Sequence, residues 1–405
     1  MLTIKMAFRN LFRHKRRTIL TASSMIVGFL LGSFFIGWAD GTYNYIIDTF
    51  TRNRLGHIQI HKKGYLDKPS LYKTIDELGN IKSLIEKRKK IESWTPRVFS
   101  AGLVSVAEES AGAQIIGVHP QKEKKSTNFD QKVINGDYFS PQPSQEALLG
   151  KGLAELLGAQ VGEDIIIVSQ AADGSIANDR YTIKGLLDMG NEAANRSSFY
   201  LHIQDAQELL VLDQKVHEIA IVLKSLHDVK SMTQTLQKEI QNPQISVEPW
   251  QEFAQTFYMA MKADKQGMWI SLIVVILVVA IGVLNTVLMS VLERRREYGV
   301  LKALGTKPAQ VFRLVLTEVI LMSLICIVIG AGLGFGVNSY FAEQGISLGQ
   351  PLTWGGMEIE VMKGEINLRS FVIPALTILL TAAVVSTFPA LHAARTEPAR
   401  TMRMF

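Results

Sequence analysis

Met268 to Leu292 is a run of 25 residues without a charged side chain, and it stops at Glu293-Arg294-Arg295-Arg296-Glu297. As a helix, a run of that length crosses the roughly 30 Å hydrocarbon core of a bilayer. Lysine and arginine next to a span are held on the cytoplasmic side. The sequence therefore predicts an integral membrane protein whose 293–312 segment faces the cytoplasm.

Three further apolar runs are predicted to be spans. The first covers 18–40, its uncharged part being Thr18–Trp38; the others are 313–341 and 371–391, the latter with Pro374 and Pro389 near its ends. The first run exceeds the 7–15 residues of a signal-peptide core and no A-x-A-like cleavage site follows it, so it reads as a retained span. Four spans bring the chain back to its starting side, with both termini cytoplasmic, a 392–405 cytoplasmic tail, and 41–267 as one large extracytoplasmic domain.

Charge distribution agrees with this topology. Residues 1–17 carry six Lys/Arg and no acid, and 293–313 carry six against Glu293 and Glu297. The tail from Leu391 adds three against Glu397, whereas the 342–370 loop has two basic and four acidic residues. The three basic pieces total +12 in a chain of net charge +6, so the remainder is acidic. That asymmetry is the positive-inside pattern and argues against a nucleic-acid partner.

In the 1–17 segment Lys5, Arg9, Arg13 and Arg16 share one helical face, and Ile4, Phe8, Leu11 and Phe12 share another. Such an amphipathic helix lies in the lipid headgroup plane. Within 41–267 the pattern is mixed α+β. Strand-like alternation occurs at 57–61, 102–107, 115–118 and 217–222, and 164–169 with 181–186 flank Ala172-Asp173-Gly174 as a hairpin. Helices are expected over 75–92, 203–212 and 226–240. The segments 42–54 and 250–265 read as helical stalks extending the first two spans, and Ser93–Pro96 is a candidate subdomain boundary.

Several chemistries are disfavoured. Gly150-Lys151-Gly152 lacks the spaced glycine and following hydroxyl of a nucleotide-binding loop. His57 and His61 have no Asp, Glu or Cys at ligand spacing, and Cys326 stands alone in an apolar run, so no metal site is expected. No arrangement of nucleophile and base recommends itself, and an enzyme activity resident in this chain is not expected. Gly330 and Gly334, four apart in a span, predict close approach of a neighbouring helix. Asn285 and Thr286 should face protein or a cavity. Glu318 should pair with Arg313 or with a basic group on another helix.

The segment Glu293-Arg294-Arg295-Arg296-Glu297-Tyr298-Gly299-Val300-Leu301-Lys302-Ala303-Leu304-Gly305 reads as a short amphipathic helix, with Val300, Leu301 and Leu304 on its apolar face and Gly305 as its stop. A helix of this kind suits a groove on a soluble partner. The stretch resembles the signature of the FtsX-like, or MacB-type, permease subunits of ABC transporters. Phe388–Arg400 (FPALHAARTEPAR) resembles their C-terminal pattern. Softer similarities at Gly56–Ile60, Leu149–Gly162, Tyr200–Leu210, Trp250 and Asn285–Ser290 are closest to the lipoprotein-releasing, LolC/LolE-type permeases.

The resemblance implies a four-span α-helical membrane protein with a large MacB-like α+β periplasmic domain on helical stalks, in the cell inner membrane. It implies type VII mechanotransmission. Two copies of a cytoplasmic ATPase subunit bind ATP and Mg²⁺, while this chain binds no cofactor. A second permease, identical or related, completes the membrane part. The implied activity is extraction of lipoproteins from the outer leaflet to a periplasmic carrier. Export of peptides, toxins or small amphiphiles by a MacB-like machine, and FtsX-like signalling to a cell-wall hydrolase, are the alternatives.

Overall fold

The computed structural model describes residues 6–7, 9, 15–354 and 357–396. They divide into two compact units, one drawn from 1–45, 261–348 and 361–405, the other from 46–260 and 349–360.

The first unit is helical. Its long helices are Lys15–Phe50, Gln255–Glu293, Pro308–Gln344 and Arg369–Ala394. Four stretches within this set are long and apolar enough to cross a membrane, and the first runs on to Leu55 through a π-helical turn, Thr51–Leu55. Helices that are apolar all round need lipid or protein on every side. The third helix begins where Pro308 supplies a preset φ at the first helical position.

Small residues set the spacing of helices one and three. A Cβ on Gly330 would lie 3.0 Å from the Phe29 side chain, and one on Gly334 would lie 3.3 Å from Ser33 Oγ. One turn further on, Asn338 Nδ2 donates to Ser33 Oγ at 3.1 Å. Gly332 and Gly336, on the opposite face, meet nothing within 4 Å. The neighbour predicted for the Gly330/Gly334 pair is thus the first helix.

At its outer end the first helix meets backbone. A Cβ on Gly41 would come within 2.4 Å of the Gly364 carbonyl carbon, and the Glu365 N–H donates to the Gly37 carbonyl at 3.0 Å. Asp40, only 5% exposed, accepts from Asn367 Nδ2 at 3.1 Å and forms ion pairs with Lys265 and Arg369, both at 3.3 Å. An acid on an apolar helix is tolerable when surrounded in this way. Within the single chain the Asn285 side chain is exposed. The side chain of Thr286 is outside those described.

The second unit is built on a ten-stranded mixed sheet. In chain order its strands are β1 (Ile58–Lys62), β2 (Ile91–Val106), β3 (Glu109–Val118), β4 (Val133–Gly136) and β5 (Glu146–Gly150). They continue with β6 (Asp164–Gln170), β7 (Ile176–Leu187), β8 (Ser198–His202), β9 (Glu218–Leu223) and β10 (Ile245–Pro249). The 16-residue β2 organises the sheet. Its first half pairs with β9, its second half with β6, and most of its length with β3. From β3 the pairing runs through β8, β5, β7 and β6 back to β2, closing a six-membered ring, while β9, β1 and β10 extend from the open half of β2. The predicted hairpin is present as β6–β7, with Gln170 opposite Ile176.

Three expectations change. Residues 75–92 are not one helix: the helix is Leu78–Glu86, Ile75 bridges to Val216, and Ile91 opens β2. Ser93–Pro96 is not a boundary, because it lies inside β2 in register with Val222–Ile219 of β9. The 342–370 segment contains two paired strands, β11 (Ile346–Trp354) and β12 (Met357–Met362), in place of a plain loop.

Candidate functional site

The 293–305 segment forms a nine-residue helix, Arg295–Ala303, between the second and third long helices. The chain breaks from the second helix at Arg294, which has left α geometry (φ −92°, ψ 11°), and stops past Leu304 at Gly305, whose φ of +96° favours glycine.

Both ends of the short helix are fastened. Arg294 is buried at 6% exposure, and its Nη1 donates to both carboxylate oxygens of Glu318, at 3.0 and 2.9 Å. Its Nε donates to Glu297 Oε2 at 3.1 Å, and its guanidinium lies 5.4 Å from the Tyr298 ring centre. Arg294, not Arg313, is therefore the partner of Glu318 that the structure brings within bonding distance. Burying a guanidinium, which stays charged, is costly unless carboxylates are placed in this way to offset the lost hydration. At the other end Lys302 Nζ donates to the carbonyls of Ala394 and Thr396, at 2.8 and 2.7 Å. Those carbonyls close the fourth helix, where a cation is favoured by the helix dipole.

Between the fastenings Tyr298 is 1% exposed and packs with Val291, Val311, Val315 and Ala393. Burial pushes its phenol pKa up to about 12. Sequence reasoning passed over this residue, although its place one turn from Arg294 would have put it on the inward face. Gly299 is buried beside it.

Leu301 also turns inward, against the same cluster, so the apolar face expected of Val300, Leu301 and Leu304 is divided. Arg296, Val300, Ala303 and Leu304 make the outward stripe, at helical spacing i, i+4, i+7 and i+8. Leu304 is 80% exposed and Val300 46%. Arg295 is partly buried, with its Nε unbonded among the described residues. Glu293 is exposed at the C-terminus of the second helix. The arrangement presents an apolar stripe edged by Arg296 on a helix that cannot shift without its two supports.

Of the predicted interfacial helix, Arg9 is helical and exposed, whereas Lys5, Phe8, Phe12 and Arg13 lie outside the described residues. Among the described residues no cluster of His, Cys, Asp and Glu could hold a metal ion.

Residues 18–239, more than half of the chain, match the MacB-like periplasmic core domain family, and residues 269–398 match the FtsX-like permease C-terminal family. The chain is 27% identical over 364 residues to the lipoprotein-releasing system transmembrane protein LolC of Neisseria meningitidis serogroup B, covering 87% of this chain and 86% of that protein. It is 23% identical over 378 residues to the macrolide export ATP-binding/permease protein MacB of Vibrio parahaemolyticus, covering 85% of this chain and 53% of that protein. The periplasmic region of MacB from Actinobacillus actinomycetemcomitans aligns with 52% of this chain and 97% of its own, at 17% identity and a TM-score of 0.38. The four span-length helices and the two family matches define a membrane permease with a periplasmic-type domain. The chain belongs to the MacB-like periplasmic core domain family and is an ABC transporter permease of the LolC, MacB and FtsX type.

Proposed function

We propose that this permease extracts lipoproteins from the outer leaflet of the inner membrane and passes them to a periplasmic carrier, driven by a separate ATPase. The similarity to LolC over 87% of the chain carries this reading. Removing an acyl chain from lipid costs about 0.8 kcal/mol per CH₂, so a multiply acylated protein needs external work to leave.

In this reading both termini are cytoplasmic, and two copies of an ATPase subunit hold ATP and Mg²⁺. Each seats against the outward stripe of Arg295–Ala303 on one of two permeases. Closure of the ATPase pair presses on that helix. Asn285, exposed on the single chain, then faces the second permease or the cargo cavity.

The test is reconstitution of the chain with its ATPase and companion permease in liposomes loaded with a triacylated lipoprotein. ATP-dependent release to a soluble carrier is expected. Absence of release for every native lipoprotein, together with ATPase stimulation by a peptide or drug, would assign the chain to export instead.

A further inference from the structure

The second unit contains a cavity of about 600 Å³, within the size range of small-molecule sites. Its floor follows from strand register. Phe99 of β2 stands opposite Ile116 of β3, which stands opposite Tyr200 of β8, so the three form one row across neighbouring strands. Adjacent side chains alternate faces. Ile115 and Phe199 therefore fill the opposite face, and the Phe99–Ile116–Tyr200 row lies under the cavity. Phe129, in the 3₁₀ turn Phe129–Lys132, adds an aromatic wall with its ring centre 4.6 Å from that of Tyr200.

The charged groups around this floor fall into two sets. Arg97 is buried and satisfied: Nη2 donates to Glu123 Oε1 at 2.6 Å, and Nη1 to Glu218 Oε1 at 2.8 Å. Glu123 also accepts from Thr95 and Thr127, at 2.8 and 3.0 Å, and Glu218 from His61 at 3.2 Å. That inner set is closed.

The second set is open. Lys132 donates to the carbonyl of Asn53, and among the described residues it has no carboxylate at ion-pair distance. The side chain of Arg54, exposed on the π-helical turn beside it, has no hydrogen bond or ion pair among them either. Burial first of all pulls the Lys132 ammonium down to about 8; the Glu123 carboxylate opposes that shift, and Arg97 and Arg54 add to it. An ammonium carries three donors, and only one of them is used here. Among the described residues neither of these two adjacent cations beside the aromatic floor has a carboxylate at ion-pair distance. π-Helical turns, rare in general, occur often at functional sites.

We propose that this cavity binds an anionic amphiphile, its carboxylate or phosphate held by Lys132 and Arg54 and its chain laid along Phe99, Ile116 and Tyr200. A free anion leaves the floor unused, and a neutral chain leaves both cations unpaired. The site is independent of which cargo is transported.

The test uses the full chain in a neutral detergent, without ATPase, and a photoreactive dodecanoic acid bearing a diazirine on its chain. Labelled peptides are mapped by mass spectrometry. Label is expected around Phe99, Ile116, Phe129 and Tyr200, displaced by dodecanoate and dodecyl phosphate. Dodecanol and inorganic phosphate at equal concentration should leave it in place. The Arg54→Gln/Lys132→Gln double variant should lose labelling at least tenfold. Ile116→Trp, which keeps both cations and fills the floor, should lose it comparably. Label confined to the four long helices would overturn the proposal. So would equal displacement by dodecanol, which denies anion recognition, or by inorganic phosphate, which denies a chain site. Because no nucleotide or cargo is present, lipoprotein release can fail while this result stands.

Discussion

Leu301 and Leu304 are three residues apart in one short helix, yet aspartate at the two positions should have opposite effects. Leu304 is 80% exposed and touches no part of the core, so Leu304→Asp leaves the isolated chain intact. In a complex, burying a leucine is worth about 1.5–3 kcal/mol, and a carboxylate left unpaired at the contact adds a desolvation cost. The expected loss of affinity for the ATPase subunit is about 2–4 kcal/mol, roughly 30- to 700-fold in Kd. Val300→Asp, at a site only 46% exposed, should cost about half as much. Leu301 packs against Tyr298 and its neighbours, and Leu301→Asp should cost the fold about 3 kcal/mol or more. The assay has two arms on each variant in nanodiscs: Kd for the purified ATPase subunit by surface-immobilised binding, and the thermal unfolding midpoint of the permease alone. Binding by Leu304→Asp within threefold of the parent chain would remove the outward stripe as the contact. An unaltered midpoint for Leu301→Asp would show that its packing is misjudged.

Other outcomes follow from the geometry. Gly330→Leu should abolish recovery of folded protein, since even a Cβ there meets Phe29 at 3.0 Å, whereas Gly332→Leu, with nothing within 4 Å, should be recovered normally; size-exclusion yield compares them, and equal yields would deny the close helix contact. Gly334→Leu should be intermediate, because its nearest neighbour is the Ser33 hydroxyl. Glu318→Gln leaves the buried Arg294 with Glu297 as its remaining carboxylate and should cost about 1–3 kcal/mol of stability. The Arg294→Met/Glu318→Met pair should recover most of that loss, and a pair no better than the single change would deny the coupling. Asp205 is 8% exposed with an unbonded Oδ2, and burial first of all raises its carboxyl to about 6. The unfolded chain ionises it nearer pH 4, so between pH 4 and 6 the folded form binds the extra proton and stability falls as pH rises. Asp205→Asn should flatten that slope and raise stability at pH 7 by about 1–2 kcal/mol; a pH series of unfolding midpoints matching the parent chain would refute the assignment.

The four long helices were legible because charge-free runs of span length have few other uses, and the α+β domain because its short alternating segments announce strands. Ile75–Glu92 misled because its apolar spacing suits a helix, while the partners that pull its ends into sheet, Val216 and β9, are far along the chain. The short helix Arg295–Ala303 was legible as an element and its orientation was not. Its rotation is set by Glu318, 24 residues from Arg294, and by the carbonyl of Ala394, 92 residues from Lys302. Without those anchors Leu301 and Leu304 are indistinguishable. Arg54 and Lys132 gave no signal at all, since one fell within the 42–54 stalk and the other within no predicted element.

The double mounting of Arg295–Ala303 has a mechanical consequence. A rod hinged at one end swings under load and leaves its support where it was. This one is bolted to the third long helix through Arg294 and to the end of the fourth through Lys302. A sideways load on its outer surface therefore reaches two supports at once, as a couple that tilts them, and helix three carries that tilt to helix one wherever Gly330 touches Phe29.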